Sequence, residues 1–290
     1  MKTLNFSILL ILLMQLSFAQ LPFPSPVEIE RFYATKTMVV LETSLNYAFF
    51  NKHLKEVMPT VWKATPYEFI DLAKYEELKN DSQYSFLMLT KVRYNSDKIK
   101  PPYDFLTLTL GSDAQRYKNM PQLCALPLCY SDIEDDEYSY KMPAFLKFIQ
   151  SHVELLKSNP DLDAKKIDNH YNKNAVDLAG KTIYFAATDL AKDLDTPPEI
   201  KQYYDGEIKV VSHDDIAASI KNNEDIVFLH KVGPGELTQK SRCWKLIMGT
   251  AGKLYYMDFH IINEKNPDGF TEKDFKQIKL ETMKSKVLKK

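Results

Sequence analysis

Lys36-Thr37-Met38-Val39-Val40-Leu41 has a counterpart in Lys181-Thr182-Ile183-Tyr184-Phe185-Ala186, and the segments that follow each run come in the same order. After the first run come an amphipathic helical stretch, a strand-like Tyr67 to Ile70, a short acidic helix, a Phe86-Leu87 strand and a strand ending at Gly111. After the second come Ile208 to Val211, a helix from Asp214, the Phe228-Leu229 strand and a strand ending at Gly249. A spacing of about 140 residues is far above the solenoid range, so it predicts duplication of a domain-sized unit and not a repeat array. The expected fold class is α+β. Two tandem, duplicated units each form a small mixed or antiparallel sheet with helices packed on one side.

Residues 1–19 read as a secretory signal, with Lys2 at the positive end, an apolar core from Ile8 to Met14, and Ser17-Phe18-Ala19 as a small-residue cleavage site before Gln20. The apolar run is too short to span the ~30 Å hydrocarbon core of a bilayer. Later apolar stretches such as Ile183 to Ala187 and Ile226 to Leu229 have strand length. The expectation is an exported protein, secreted or periplasmic, with no transmembrane segment once the signal is removed. Cleavage takes away Lys2 and no acid, leaving 37 basic against 39 acidic groups. So even a balance gives no electrostatic footprint for nucleic acid. The remaining chain is long enough for two ordinary cores.

Residues 20–35, with Pro22, Pro24 and Pro26, predict an extended lead-in. The first unit spans 36–140, a helical bridge 141–177, the second unit 178–270, and a C-terminal helix with a Lys-rich tail 271–290. Within the first unit, Tyr47, Phe50, Leu54, Met58 and Val61 keep helical spacing, and Asp71 is placed to cap the next helix. Tyr84 to Tyr94 and Tyr103 to Leu110 read as a hairpin, its second arm alternating Leu106, Leu108 and Leu110 with Thr107 and Thr109, so that one face is buried and the other wet. Residues 112–140 read as irregular. Their acidic run from Asp132 to Glu137 lacks the glycine turn and spaced ligands of a calcium loop and reads as solvated. Pro143 opens a helix through Lys157. In the second unit, Thr196 with Glu199 and Ser212 with Asp215 have capping-box spacing, and Ile226 to Val232, Arg242 to Met248 and Leu254 to Ile262 read as three sequential antiparallel strands.

The order strand, helix, strand, helix, strand, strand resembles the small α/β domain at the amino end of TolB-like and curli-secretion-type bacterial envelope proteins. The stretch Phe228-Leu229-His230-Lys231-Val232-Gly233-Pro234, with Cys243, Leu254-Tyr255-Tyr256-Met257-Asp258-Phe259-His260 and Lys265-Asn266-Pro267-Asp268-Gly269-Phe270, is similar to a family of secreted Gram-negative envelope proteins of unassigned function. That resemblance implies export and brings no activity or site residue with it.

Glycine is sparse, with eight in the chain and none before Gly111, so the first unit holds no Gly-rich loop to cradle a phosphate. Gly233 and Gly235 sit between strands, whereas dinucleotide sites need a strand leading into a helix. Neither a Gly-x-Ser-x-Gly elbow nor a His-Glu-x-x-His helix occurs. No cofactor or metal site is expected. Cys124 and Cys129 flank a short Ala-Leu-Pro-Leu loop that a disulfide would close, leaving Cys243 alone; the other reading makes all three small buried apolar residues.

The best polar constellation is Tyr256, Asp258 and His260, which alternate along one strand and share a face, with His230 on a neighbouring strand as a fourth member. Convergence in a concavity would permit acid/base chemistry of a hydrolase type. The competing reading is the solvent face of an antiparallel sheet, or a covered face with satisfied hydrogen bonds. His152 reads as a core-edge histidine, and Trp62 and Trp244 as core residues. The function expected from the sequence is non-catalytic. It is a binding or assembly protein of the envelope, holding an envelope protein or other extracytoplasmic ligand at sheet edges or in a groove between units.

Overall fold

The structure, a computed structural model, describes residues 23–94, 97, 102–114, 119–130, 134–194, 196–234 and 240–288, with side chains up to 283. The expected signal segment, Pro22, Pro101, Asp132, Gly235 and the side chains of the Lys-rich tail lie outside these residues.

Ten strands form two five-stranded sheets among the described residues. The first holds β1 (Lys36–Val40), β2 (Tyr67–Ile70), β3 (Tyr84–Val92), β4 (Tyr103–Leu110) and β5 (Gln122–Tyr130) in the order β2-β1-β3-β4-β5. The second holds β6 (Thr182–Ala186), β7 (Glu207–Val211), β8 (Val227–Val232), β9 (Arg242–Gly249) and β10 (Leu254–Ile261) in the order β10-β9-β8-β6-β7. Read from the other end, the second order is the first. In both sheets the first three strands are parallel and the last two antiparallel. The repeated element order of the sequence is therefore a repeated topology.

That topology fixes where the helices go. The chain leaves the first strand of each unit for one side and then crosses back to the other, so right-handed crossovers must place successive helices on opposite faces. Helix α2 (Ala48–Val61) buries Phe50, Leu54 and Met58 in one core, while α3 (Leu72–Leu78) sets Tyr75 edge-on to Phe86 on the opposite face, ring centroids 5.0 Å apart. In the second sheet, α7 (Pro197–Lys201) packs Ile200 with Phe185 on one face, and α8 (His213–Lys221) packs Ile216 and Ile220 with Phe228 on the other. Helices flank both faces of each sheet, where the sequence reading placed them on one. Met38-Val39-Val40, buried throughout, is the two-sided strand pattern that this arrangement requires.

Two further elements depart from the expectation. Residues 20–35 are not extended throughout, because Ser25 and Glu28 form a capping box with Pro26 inside the first turn and start α1 (Pro26–Tyr33). Residues 122–130 are a strand and not an irregular loop. Pro127 disguised it, since proline is tolerated only where a strand lies at a sheet edge, and β5 is that edge. Cys124 and Cys129 both lie on β5, five residues or about 16 Å apart, too far for a disulfide. All three cysteines are free and buried.

The acidic run is corrected at one position, while Glu134, Asp136 and Glu137 are exposed as a solvated run requires. After α4 (Asp136–Ser139), the chain enters α5 (Met142–Ser158), and the preceding Asp135 is buried, accepting a hydrogen bond from the Phe50 backbone at the start of α2 (2.8 Å). It stands in for a cap that Tyr47 does not supply. Helix α5 is buried along most of its circumference and belongs to one continuous apolar cluster that runs from Phe50 and Leu54 through Phe145 and Ile149 to Phe228 and Met248. The other face of the second sheet is sealed by the C-terminal helix α9 (Glu272–Leu288), whose Phe275 packs on Phe270 and Phe185. Among the described residues, no helix is long and apolar enough to cross a membrane.

The turn between β9 and β10 sits directly on α5. Gly252 has φ +83°, and a Cβ there would lie 2.5 Å from the Lys147 Cβ. Gly252→Ala is expected to lower stability by about 1–3 kcal/mol, measured by chemical denaturation, because both the backbone region and the contact exclude a side chain.

Candidate functional site

Tyr256, Asp258 and His260 do share one face of β10, which is buried at Tyr256 and half-buried at Asp258 and His260. The Tyr256 hydroxyl donates to Asp274 (2.7 Å), and the Lys245 ammonium bridges Asp274 (2.6 Å) and Asp258 (2.8 Å). His260 donates from Nε2 to the Pro267 carbonyl (2.8 Å), which sets its tautomer. Burial, then Lys245, holds its pKa below the ordinary value.

His230 does not join them. Strand β9 lies between β8 and β10, and the ladder aligns His230 with Leu246 and Met257, placing its side chain on the opposite face from Tyr256. There it is buried against Phe145 (ring centroids 4.8 Å) and donates from Nε2 to the Pro127 carbonyl of β5 (2.9 Å). Burial, then Lys141, keeps it neutral at physiological pH. The four residues thus hold structural bonds in two separate places.

The Lys245 group is an internal tether for α9. Burial lowers the ammonium's affinity for its proton, but Asp274 and Asp258 outweigh burial and raise its pKa. Asp274, penalised by burial, is nonetheless held below its ordinary value by Lys245 and by Thr271, from whose backbone and hydroxyl it accepts hydrogen bonds (2.8 and 2.6 Å). Asp274→Ala is expected to cost about 3 kcal/mol by chemical denaturation, the low end for breaking a buried pair because Asp258 remains beside Lys245. Lys245→Met with Asp274→Leu should cost far less, since it removes both buried charges together.

A concavity of about 1080 Å³ opens elsewhere, where the α3-side face of the first sheet meets the ends of β9 and β10. Met88, Phe105 and Met120 line it from the first unit, Trp244 and Phe259 from the second. The sequence reading made this face of β4 wet and Trp244 a core residue. Instead all of β4 is buried, and Trp244 is half-buried in an aromatic wall, its ring centroid 4.9 Å from Tyr103, 5.6 Å from Phe105 and 5.4 Å from Phe259.

A closed polar ring stiffens that wall. The Arg242 backbone N–H donates to the Tyr103 hydroxyl (2.8 Å), Tyr103 donates to Asp97 (3.1 Å), and Asp97 lies 3.4 Å from Arg242 Nε. The guanidinium stacks 3.6 Å from the centre of the Tyr94 ring, with Phe259 at 5.3 Å. Opposite, His152 of α5 meets the Tyr171 hydroxyl (2.7 Å) at the end of α6 (Ile167–Asn172), and burial, opposed by the Leu123 backbone, pulls its pKa down to about 4. His152 is the core-edge histidine that its apolar helix face predicted. Burial, then Asp258, raises the pKa of Asp168 on the same rim.

The sequence offers a groove between units without its lining residues, because the two walls are about 140 residues apart and the floor depends on β5 being a strand. One signal was present: Tyr103 and Phe105 share the strand face opposite Leu106 and Leu108, which a solvated face would not favour. Among the described residues, no three His, Cys, Asp or Glu side chains are arranged to hold a metal ion.

The chain matches no protein-family model, no curated protein and no solved structure.

Proposed function

We propose that this is a non-catalytic binding protein of the cell envelope, secreted or periplasmic, that holds an apolar extracytoplasmic ligand in the groove between its two units. The observation that carries this reading is the groove itself. Its volume is at the upper end for small-molecule sites. Its wall combines large apolar rings with side chains fixed by their own hydrogen bonds, the preorganisation that limits the entropy cost of binding. A hydrolase built on His230, Asp258, His260 and Tyr256 draws no support from an arrangement in which the two histidines are bonded to backbone carbonyls and Asp258 and Tyr256 to the Lys245–Asp274 pair.

Export is part of the proposal. It rests on the apolar, small-residue pattern of residues 1–19.

Trp244 supplies the test. Trp62 is buried in the first core, so a ligand entering the groove should perturb Trp244 emission alone. Titration with palmitate as a chain probe, and with anilinonaphthalene sulfonate as a ring probe, is expected to give a saturable change that Trp244→Phe abolishes. Phe259→Ala should weaken binding about tenfold, or ~1.4 kcal/mol. Absence of saturable binding by both probes, or unchanged affinity in Phe259→Ala, would exclude the groove as the site.

A further inference from the structure

In the second sheet the chain runs from β6 outward to β7 and back across to β8, so a crevice is left at the C-terminal ends of β6 and β8, the place where open α/β sheets commonly take ligands. In this protein the chain fills that crevice itself. Residues 134–141, leading through α4 into α5, deliver Tyr140 and Lys141 to it. Lys141 is 2 % exposed, has no carboxylate within ion-pair distance among the described residues, and lies 5.3 Å from the centre of the Tyr140 ring. Asp189, just beyond β6, is buried, and its Oδ2 has no hydrogen-bond partner. A buried lysine without an ion-pair partner and a buried carboxylate oxygen without a hydrogen bond therefore sit across one seam, a costly state.

His213, the first residue of α8, joins the two sides. Its Nδ1 meets the Tyr140 hydroxyl (2.9 Å), and its Nε2 meets the Thr188 hydroxyl (3.2 Å) and lies 4.0 Å from Asp189 Oδ1. The other charged groups around it are Glu137 on α4, Asp214 on α8, and His230 and Lys231 on β8, with Lys231 already engaged by Asp268 (2.7 Å). With Nε2–H donating to Thr188, neutral His213 accepts from Tyr140 at Nδ1. A second proton on Nδ1 reverses that bond, the Tyr140 hydroxyl turning to accept, so the change that acid brings to the seam is one of charge. That proton sets a new cation between Lys141 and Lys231, with Asp189 as its nearest partner.

We propose that this cluster is an acid-released latch: a proton on His213 draws Asp189 away from Lys141 and frees residues 134–141 from the ends of β6 and β8 while both sheets stay folded. The His213 side chain is 28 % exposed, so the proton has access from solvent. Burial, then Lys141, holds the His213 pKa below its ordinary 6.5. A depressed imidazole contributes stability that is complete above the unfolded value and lost as pH falls through the folded one, so acid is the releasing direction.

Hydrogen exchange of the full chain, corrected for the intrinsic pH dependence and followed from about pH 7.5 to about pH 5, tests this. Residues 134–141 are expected to lose protection by up to tenfold per pH unit, the limit for one linked proton, while β6 and β8 remain protected. His213→Gln keeps hydrogen-bonding capacity without a titrating charge and should hold its protection across the range. Lys141→Met should raise the His213 titration midpoint seen by NMR, because a repelling neighbour is gone. Equal acid release in His213→Gln, opening of 134–141 only together with β6 and β8, or an unmoved midpoint in Lys141→Met would overturn the proposal.

Discussion

Helix α5 is apolar around most of its surface, and the rest of the molecule is arranged to keep water from it. Met142, Phe145, Leu146, Ile149, Val153 and Leu156 occupy more than one helical face, so no single sheet can bury them all. Each fully buried side chain of this size contributes on the order of 1.5–3 kcal/mol relative to exposure. The first unit meets the helix with α1, α2 and β5; the second meets it with Phe228, His230 and the turn at Gly252. What reads in sequence as a bridge between units is the shared centre of their core.

A shared helix also explains why equal topologies serve unequal purposes. The first unit presents to α5 the face that carries its first crossover helix, α2, and the second presents the face that carries its second, α8. The faces left over therefore differ. On the first sheet, among the described residues, α3 with Ala114 and Met120 packs on the outer face, and the groove remains there. On the second, α7 and α9 seal the outer face, held by the Lys245–Asp274 pair. Of the polar residues singled out in the sequence, Tyr256, Asp258 and His260 lie on that outer face and His230 on the face turned to α5, whereas the concavity lies on the other unit with one wall borrowed from the second.

Local signals were legible because each is decided within a few residues. The Asp71 and Ser212 caps, the core-facing Leu106, Leu108 and Leu110, and the glycine turn before β10 stand where the spacing put them, although the other face of β4 is buried as well. Reading failed where a partner distant in sequence sets the outcome. Pro127 is compatible with a strand only because β5 is an edge, Asp135 is buried only because α2 begins without its own cap, and Trp244 is half-open only because β9 ends beside Tyr94 and Tyr103. The face shared by Tyr256, Asp258 and His260 was legible from period two, but what covers it is α9, which arrives from beyond Pro267.

Edge management narrows how the protein can meet a partner. On β5, His230 donates to the Pro127 carbonyl, so a neutral imidazole occupies a backbone group that a foreign strand would need. On β10, the Asn172 side-chain amide both donates to the Met257 carbonyl (2.9 Å) and accepts from its N–H (2.7 Å), imitating a strand rung, and Asn174 donates to the Leu254 carbonyl (2.9 Å). Three side chains thus spend hydrogen bonds on closing edges, leaving β2 and β7 as the outer strands without such caps among the described residues. These two are short, and each carries exposed charge, Glu68 paired with Lys36 on β2 and Glu207 with Lys201 on β7. Short charged edges disfavour strand addition. Of the two modes open to a binding protein of this architecture, pairing along an edge is opposed by the construction of all four edges, whereas filling the aromatic groove is opposed by none of it.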